Sequence, residues 1–342
     1  MNMQEDFNQY INGFMKLLER VNPGTVSAEP YCLRYLDHLL RHKKYYLSIY
    51  ADVLNKLMLH ASKNKQEMLL IDYGAGNGLL GLFAKYSGFG RVALNDLDEK
   101  FIQSAQRIAL QLGIHADHYI TGSIESLLNT SFGQKPDAVI GTDVIEHIYN
   151  LDDFFDGIRK LNPAMVSVFT TASNPVNPFK VKALQEIQRK DELEGGMPSD
   201  HALFGETAHL PFLKIREQII LQNFKDGKEE DILALAKATR GLKQEDIIKA
   251  IEEFRRSAAL PNPAQGTNTC NPLNGSWTER IVSLDEYRAL YKRSGFTCDF
   301  FPGFYNDKEG GADALVKKIL NIIIPFSGNR ISPYIVLLGY PS

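Results

Sequence analysis

The chain has 342 residues, of which 44% are hydrophobic and 23% are charged. This composition is typical of globular proteins, and the length suits one large domain or two modest ones. A formal net charge of −3 supplies no overall basic field for nucleic acid. Three cysteines, Cys32, Cys270 and Cys298, lie far apart, which argues against a disulfide framework and against a cysteine-rich zinc site.

The N-terminal stretch "MNMQEDFNQYINGFMKLLER" carries charges throughout and lacks the apolar core of a secretory signal. No apolar run reaches the roughly 18 residues that would suggest a membrane span. We therefore expect a soluble, cytoplasmic protein with no membrane span. Nothing in the sequence indicates an oligomeric state.

The first elements in chain order are helical. Residues 5–21 and 30–62 are predicted helices, and "NPGT" at residues 22–25 separates them. We assign residues 1–66 to an N-terminal helical segment. Tyrosines recur along the second helix, with Arg34, His38 and Arg41 between them: Tyr31, Tyr35, Tyr45, Tyr46 and Tyr50.

Strands and helices alternate over residues 67–173. The predicted strands are "MLLIDYG", "RVALND", "HYITGS", "DAVIGTDV" and "MVSVFTT". Asp98 is well placed to cap the helix after the second strand. This alternation predicts a parallel sheet with right-handed crossovers.

The alternation stops after residue 173. Residues 174–276 contain four predicted helices and a long loop, and they show no convincing strand. A helix capped by Ser283, a strand, a helix and a final strand then follow within residues 277–342. We interpret residues 67–173 and 277–342 as one α/β core, and residues 174–276 as a helical insertion that caps a substrate site.

A glycine-rich turn follows the first strand, in "LLIDYGAGNGLL". Gly74, Gly76 and Gly78 alternate there, and glycine lets a ligand approach the backbone because it has no Cβ. A phosphate-binding loop would end in G-K-[ST], which is missing. Asp72 ahead of the turn would repel a pyrophosphate and would suit an ammonium group, so a nucleoside with a cationic amino-acid tail is expected.

Asp96 ends the second strand, 18 residues after Gly78. An acidic residue about 20 residues after such a loop binds ribose hydroxyls in nucleotide-binding sheets. The segment "TGSIE" ends the third strand and is placed to meet an adenine ring. A dehydrogenase is disfavoured by the G-x-G-x-G spacing and by the segment "DVIEHI".

These segments resemble the class I S-adenosylmethionine-dependent methyltransferases. The matching stretches are "LLIDYGAGNGLL", "VALNDLDEKFIQSA", "TGSIESL" and "PDAVIGTDVIEHIYNLDDF", and the resemblance covers residues 67–172. Residues 277–342 fit the last helix and strands of that family. The resemblance implies a Rossmann-like α/β fold, with a mixed seven-stranded sheet that is mostly parallel and has an antiparallel last strand. It implies S-adenosyl-L-methionine as the cofactor.

The resemblance also assigns roles to individual residues. The glycine loop would meet the methionine part, Asp72 its amino group, Asp96 the ribose hydroxyls and Leu97 the adenine. Ser123 and Ile124 would flank the adenine edge, although many relatives have Asp at the position of Ser123. The implied cofactor-binding set is Asp72, Gly74, Ala75, Gly76, Gly78, Asp96, Leu97, Ser123, Ile124 and Asp143.

The fourth predicted strand runs into "DVIEHI", and the carboxyl ends of parallel strands line the ligand crevice. Transfer of a methyl group to a hydroxyl requires removal of a proton. His147 is the leading general base because histidine titrates near neutrality. Glu146 would orient His147 or cap the next helix. The alternative is that this Glu–His pair starts a helix and does no chemistry.

The same segment resembles the metal-binding E-x-x-E-H of small-RNA 3′-terminal 2′-O-methyltransferases and of ubiquinone-pathway O-methyltransferases. Asp143 stands in place of the first Glu, and His201 or His209 would be a later ligand. A divalent metal is an alternative that we do not favour, so no metal ligand is assigned. The acidic net charge disfavours RNA as the partner.

The predicted insertion adds His201 and His209 as further catalytic candidates, because they flank Glu206 beside the expected crevice. An enclosed site favours a small-molecule or sugar acceptor, and O-methylation is the favoured activity. The alternatives are a protein or peptide methyltransferase, a metal-assisted RNA 2′-O-methyltransferase, and a non-catalytic protein that binds S-adenosylmethionine.

Overall fold

A computed structural model describes residues 6–27, 29–196, 209–307 and 312–342. The strands are β1 (Leu69–Tyr73), β2 (Arg91–Asp96), β3 (His118–Thr121), β4 (Ala138–Thr142), β5 (Val166–Thr171), β6 (Phe296–Pro302) and β7 (Ile335–Pro341). They form one seven-stranded sheet in the order β3-β2-β1-β4-β5-β7-β6. β1 to β5 pair in parallel, and β7 is antiparallel to both of its neighbours. The predicted mixed sheet with an antiparallel last strand is confirmed.

Helices precede and connect the strands of this α/β region. They are α1 (Ile11–Leu18), α2 (Pro30–Arg41), α3 (Lys43–Leu57), α4 (Leu79–Tyr86), α5 (Glu99–Leu112), α6 (Ile124–Leu128) and α7 (Leu151–Leu161). Asp98 accepts a hydrogen bond from the Lys100 N–H, so the predicted cap of α5 is confirmed. The predicted continuous helix over residues 30–62 is wrong, because His42 leaves helical geometry between α2 and α3.

The remaining helices are α8 (Pro178–Leu193), α9 (Phe212–Asn223), α10 (Glu229–Ala238), α11 (Gln244–Ser257), α12 (Leu284–Arg293) and α13 (Ala312–Ser327). Ser283 caps α12 as predicted, since its hydroxyl accepts the Glu286 N–H. The described residues contain no helix that is both long enough and apolar enough to cross a membrane.

The contacts within the chain divide its described residues into two compact units. The first unit comprises Met1–Ile145, Leu151–Val176 and Ser283–Ser342, and the second comprises Glu146–Asn150 and Asn177–Val282. In the first unit, apolar side chains of α1 to α3 and of the sheet form a continuous core; Phe14, Leu54 and Leu70 are among its buried members. This burial is the main favourable contribution to folding of the unit.

The second unit is helical in its described part, as the sequence analysis predicts. Its core is formed by α9, α10 and α11, with Phe212, Ile220, Leu235 and Ile247 buried. Arg216 is fully buried and donates to the Glu192 carboxylate over 2.5 and 3.1 Å. A buried charge requires such a partner, because desolvation without one is costly.

Residues 146–150 belong to this second unit although only three residues separate them from the end of β4. The Tyr149 hydroxyl donates to Asp246 over 2.7 Å, and the Trp277 indole N–H donates to the Tyr149 carbonyl over 3.0 Å. The division at residues 66, 173 and 276 stays a prediction.

Candidate active site

The glycine loop joins β1 to α4 and adopts left-handed backbone conformations at alternate residues. The φ angles are +67° at Gly74, +53° at Gly76 and +76° at Gly78. Residues with a Cβ rarely adopt this conformation. A Cβ at Gly74 would lie 2.3 Å from Val144 Cγ2, and one at Gly78 would lie 2.8 Å from Ala105 Cβ. Glycine at these two positions therefore permits the left-handed backbone and the close packing of neighbouring side chains, in addition to any approach of a ligand.

Asp96 is tied directly to this loop. Its Oδ2 accepts the Gly76 N–H over 2.8 Å, and its Oδ1 accepts the Asp98 N–H over 3.0 Å. Burial raises the pKa of Asp96, and these two hydrogen bonds oppose the rise. A carboxylate offers about four lone-pair positions, so two protein hydrogen bonds leave acceptor capacity for ribose hydroxyls. The next residue, Leu97, is 75% exposed.

Asp72 lies one strand away, near the end of β1, and it is almost fully buried. Its Oδ2 accepts the Gly81 N–H over 2.8 Å, in the first turn of α4. Burial raises the pKa of Asp72 to about 8, and the nearby Asp96 adds to the rise. Asp72 therefore lies close to the loop, as expected, and ionisation of its buried carboxyl is unfavourable unless a cation is nearby.

Ser123 and Ile124 begin α6 after β3. The Ser123 hydroxyl donates to the Glu125 carboxylate. The Ile124 side chain is buried, and its Cγ1 lies 2.2 Å from where a Cβ at Gly157 would stand. Ile124 thus packs against α7, so only part of its surface is available for the expected role at the adenine edge.

The fourth strand ends earlier than predicted. It stops at Thr142, and Asp143 has a φ of +49°, which ends the extended strand. Asp tolerates this conformation better than most residues. Residues Ile145–His147 then form a single 3₁₀ turn. The predicted strand "DAVIGTDV" is therefore wrong at its end: it extends two residues too far, and the segment "DVIEHI" follows the strand. Asp143 Oδ1 accepts the Ala172 N–H over 3.2 Å.

Tyrosines of α2 and α3 lie close to this edge of the sheet. Tyr35 Cε1 is 3.1 Å from the position that a Cβ at Gly76 would occupy, so α2 covers the glycine loop. Burial raises the pKa of Tyr35 and of Tyr45, and the Asp143 carboxylate raises both further. The repeated tyrosines of this segment in the sequence are the residues that provide this cover.

A histidine of α2 and a tyrosine of α3 are in contact. His38 Nε2 and the Tyr46 hydroxyl are 2.9 Å apart, and the rings of Tyr45 and Tyr46 have centroids 5.5 Å apart. The Tyr45 hydroxyl donates to the Phe304 carbonyl over 3.3 Å. The sequence did not distinguish this His–Tyr pair from ordinary helix packing.

The catalytic candidates Glu146 and His147 lie in the second unit. His147 Nδ1 is 2.8 Å from the Trp277 carbonyl oxygen. Because a carbonyl only accepts, Nδ1 carries the proton in the neutral ring, and Nε2 is then the basic nitrogen. Glu146 is buried, and its carbonyl accepts the Arg280 N–H over 3.4 Å.

His209 also lies in the second unit. Its Nδ1 is 2.7 Å from the Leu210 carbonyl, its Nε2 is 3.7 Å from Asp191, and its ring stacks on Phe212 at 4.8 Å. His201, the remaining candidate, lies outside the described residues. Within the ranges that the structure describes, no group of three or more His, Cys, Asp and Glu side chains is placed to hold a metal ion.

A depression of about 250 Å³ lies elsewhere in the first unit. Met68, Asp137 and Val166 line it, at the amino ends of β1, β4 and β5. Lys63 and Asp137 form an ion pair there over 2.6 Å. Ligands of open α/β sheets bind at the carboxyl ends of the strands, so the candidate functional site is the glycine loop and not this depression.

The strand order, the glycine loop and the acid at the end of β2 define a Rossmann-like nucleotide-binding sheet of the methyltransferase kind. Comparison with known families agrees. Residues 64–230 match a family model described as a methyltransferase domain. The chain therefore contains an S-adenosylmethionine-dependent methyltransferase domain, and the class expected from the sequence is confirmed.

Curated relatives match part of the chain. The mitochondrial ubiquinone biosynthesis O-methyltransferase of Dictyostelium discoideum is 27% identical over 169 residues, which are 47% of this chain and 48% of the relative. The ubiquinone biosynthesis O-methyltransferase of Rickettsia akari is 24% identical over 120 residues, which are 35% and 46%. The chain thus spans about half the length of the curated relatives it matches.

Solved structures are also similar. A putative sarcosine dimethylglycine methyltransferase from Galdieria sulphuraria has a TM-score of 0.44 at 14% identity and is covered over 98% of each chain. An S-adenosylmethionine-dependent methyltransferase from Mesorhizobium loti has a TM-score of 0.39 at 13% identity, covering 83% of this chain and 95% of that one.

Proposed function

We propose that this protein transfers a methyl group from S-adenosyl-L-methionine to an oxygen atom of a small molecule or sugar. The observation that supports it most directly is the hydrogen bond from Gly76 to Asp96, because it joins the glycine loop to the acid expected to bind ribose hydroxyls. The names of the two curated relatives, both O-methyltransferases, support oxygen as the methylated atom.

The cofactor supplies an electrophilic methyl group on a sulfonium. The donor set fits such a ligand. Asp96 binds the ribose hydroxyls with its remaining lone pairs, and the exposed Leu97 packs on the adenine. Gly74, Ala75 and Gly76 present backbone to the methionine part. Asp72, neutral over much of the pH range when no cation is near, ionises to pair with the ammonium group.

The acceptor hydroxyl loses a proton during transfer, and we assign its removal to His147. The Trp277 carbonyl fixes the tautomer by accepting from Nδ1, so Nε2 is the nitrogen that accepts the proton. This is how a backbone carbonyl orients functional histidines in general. Glu146 holds the segment that carries His147, through its backbone bond from Arg280.

The helical insertion, proposed at residues 174–276, would enclose the acceptor and exclude water. Enclosure strengthens the electrostatic interactions on which an in-line displacement depends. A concave, covered site takes a small molecule in preference to a folded macromolecule.

Two experiments test the proposal. Isothermal titration with S-adenosyl-L-methionine should show one binding site, and the absence of binding would refute the assignment of the cofactor. A methyl-transfer screen with labelled cofactor, run against cell-extract fractions separated by size, should label small molecules. Label in the protein or RNA fractions would show that the acceptor is a macromolecule and not a small molecule. Cofactor binding without any methyl transfer would indicate a non-catalytic protein.

A further inference from the structure

The last helix of the first unit, α13, exposes an apolar stripe. Six large apolar side chains point outward from it, with exposed fractions between 41% and 88%: Leu315, Val316, Ile319, Ile322, Ile323 and Phe326. Successive helical residues are about 100° apart, which places all six within a sector of about 120°. We call these six residues the α13 stripe. The six side chains form a contiguous exposed apolar patch, and such patches often mark interaction sites.

The opposite face of α13 fixes the direction of the stripe. Ile324 is buried. The Asn321 side chain accepts the Tyr305 N–H over 2.7 Å and donates to the Tyr305 carbonyl over 3.0 Å. One face of the helix is therefore attached to its own unit, and the stripe faces away from that attachment.

Basic residues outnumber acidic ones in and just after α13. Residues 312–330 contain three basic side chains, Lys317, Lys318 and Arg330, and one acidic side chain, Asp313. Within the described part of the chain, no ion pair joins any of the three cations to a carboxylate. This local charge is opposite in sign to the net charge of −3 of the whole chain, so it favours an anionic partner at this surface.

We propose that the α13 stripe docks onto the surface of a membrane that contains anionic phospholipids. Apolar residues on one side of a helix, flanked by lysine, are the pattern of helices that lie in the membrane interface. Their apolar side chains enter the boundary between headgroups and acyl chains, while the cations contact the lipid phosphates.

The size of the stripe favours a membrane over a second copy of the chain. A helix of 16 residues is about 24 Å long and about 10 Å wide, so the outer face projects about 240 Å². Even twice that area falls below the roughly 800 Å² per partner of a standard protein interface. Binding in the membrane interface needs no matching protein surface, and its strength scales with the apolar area that enters.

Vesicle co-sedimentation tests the proposal with the full chain. Wild type should pellet with vesicles of phosphatidylcholine and phosphatidylglycerol, and less with phosphatidylcholine alone. The double variant Ile322→Glu/Phe326→Glu should lose about tenfold or more of this binding. Lys318→Gln/Arg330→Gln should reduce binding to the anionic vesicles towards the level seen with neutral ones. The matched control is Leu110→Glu, which replaces a 69% exposed leucine on α5 and should bind like wild type.

Far-UV circular dichroism and thermal unfolding should be unchanged, because the substituted side chains point to solvent. If the double glutamate variant fails to fold, Ile322→Ser/Phe326→Ser takes its place in the same assay. Wild type that stays in the supernatant with anionic vesicles would refute the proposal, as would binding that survives both double variants. A dimer in light scattering that these variants dissociate, without vesicle binding by wild type, would assign the stripe to a second copy.

Discussion

The Asp96 carboxylate and the Gly76 backbone N–H are joined by a hydrogen bond of 2.8 Å. The bond links the carboxyl ends of β1 and β2, so the acid and the glycine loop keep a fixed relative position. A ligand that binds both would meet a site arranged in advance, and preorganisation reduces the entropy lost on binding. The proposed function depends on this arrangement.

Asp96→Asn should weaken S-adenosyl-L-methionine binding by about tenfold or more, since hydrogen bonds to a charged group contribute about 1.5–3 kcal/mol. The amide oxygen of Asn can still accept the Gly76 N–H, so the loop should keep its conformation. Isothermal titration measures the affinity. Asp285→Asn, at an exposed position on α12, is the matched control. Equal affinity in wild type and Asp96→Asn would contradict the assignment of Asp96.

Gly78→Ala should lower the free energy of unfolding by about 2–4 kcal/mol. The left-handed conformation costs roughly 1–2 kcal/mol for Ala, and the contact of 2.8 Å with Ala105 adds the cost of overpacking. Gly113→Ala separates the two causes, because Gly113 has a φ of +68° and nothing within 4 Å of its Cβ position. It should cost about 1–2 kcal/mol. Urea unfolding measures both, and equal losses would show that packing at Gly78 contributes nothing.

The raised pKa of Asp72 predicts a pH dependence of stability. The unfolded carboxyl titrates near 3.9, and the folded one near 8. Between these values the folded state holds a proton that the unfolded chain has released. The free energy of unfolding of the ligand-free protein should therefore fall as the pH rises, by at most about 1.4 kcal/mol per pH unit, and this fall should end above pH 8.

Asp72→Asn should remove that contribution, because the amide resembles the protonated acid and still accepts the Gly81 N–H. Urea unfolding at several pH values compares the two slopes, and Asp285→Asn should retain the slope of wild type. If Asp72→Asn shows the same slope as wild type, the titration belongs to another group.

His147→Gln should reduce turnover by about 10²–10⁴-fold, the usual contribution of a general base, while S-adenosyl-L-methionine affinity stays unchanged. The acceptor found in the size-separated screen serves as substrate. His115→Gln, at an exposed position, should leave both quantities unchanged. A pH–rate profile of His147→Gln should also lose its acidic limb, the rise in turnover with pH that deprotonation of the base produces in wild type. Loss of cofactor affinity together with turnover would indicate a structural role instead.

Arg216→Met should destabilise the second unit by about 3–5 kcal/mol, because it leaves the Glu192 carboxylate buried without its cation. The double variant Arg216→Met/Glu192→Met should lose less, since no charge remains buried. Arg189→Met removes an exposed pair with Glu186 and should change stability by less than about 1 kcal/mol. Urea unfolding compares the three, and a double variant less stable than the single would contradict this account.

Local patterns were sufficient to predict most of the fold. Short apolar runs predicted the strands, and Asp98 and Ser283 predicted helix starts, because capping depends on neighbours in sequence. Asp96 was identified by its distance from the glycine loop. The break at His42 and the end of β4 at Thr142 were missed, since each depends on backbone angles that composition does not determine.

Contacts between distant residues account for the rest. The orientation of His147 comes from the carbonyl of Trp277, which no local signal links to it. The packing of Tyr35 over Gly76 and of Ile124 against Gly157 likewise joins separate elements. The sequence indicated the residue types at the site, and the tertiary contacts determine which atoms they present.

The membership of residues 146–150 in the second unit affects how the chain can be synthesised and divided. The hydrogen-bond partner of His147, the Trp277 carbonyl, lies 130 residues further along the chain. These five residues therefore leave the ribosome long before the rest of their unit has been synthesised. A gene shortened by joining residue 176 to residue 283 would not delete a whole module. It would leave Tyr149 without Asp246 and would remove the carbonyl that orients the imidazole, in a protein whose sheet is otherwise entire.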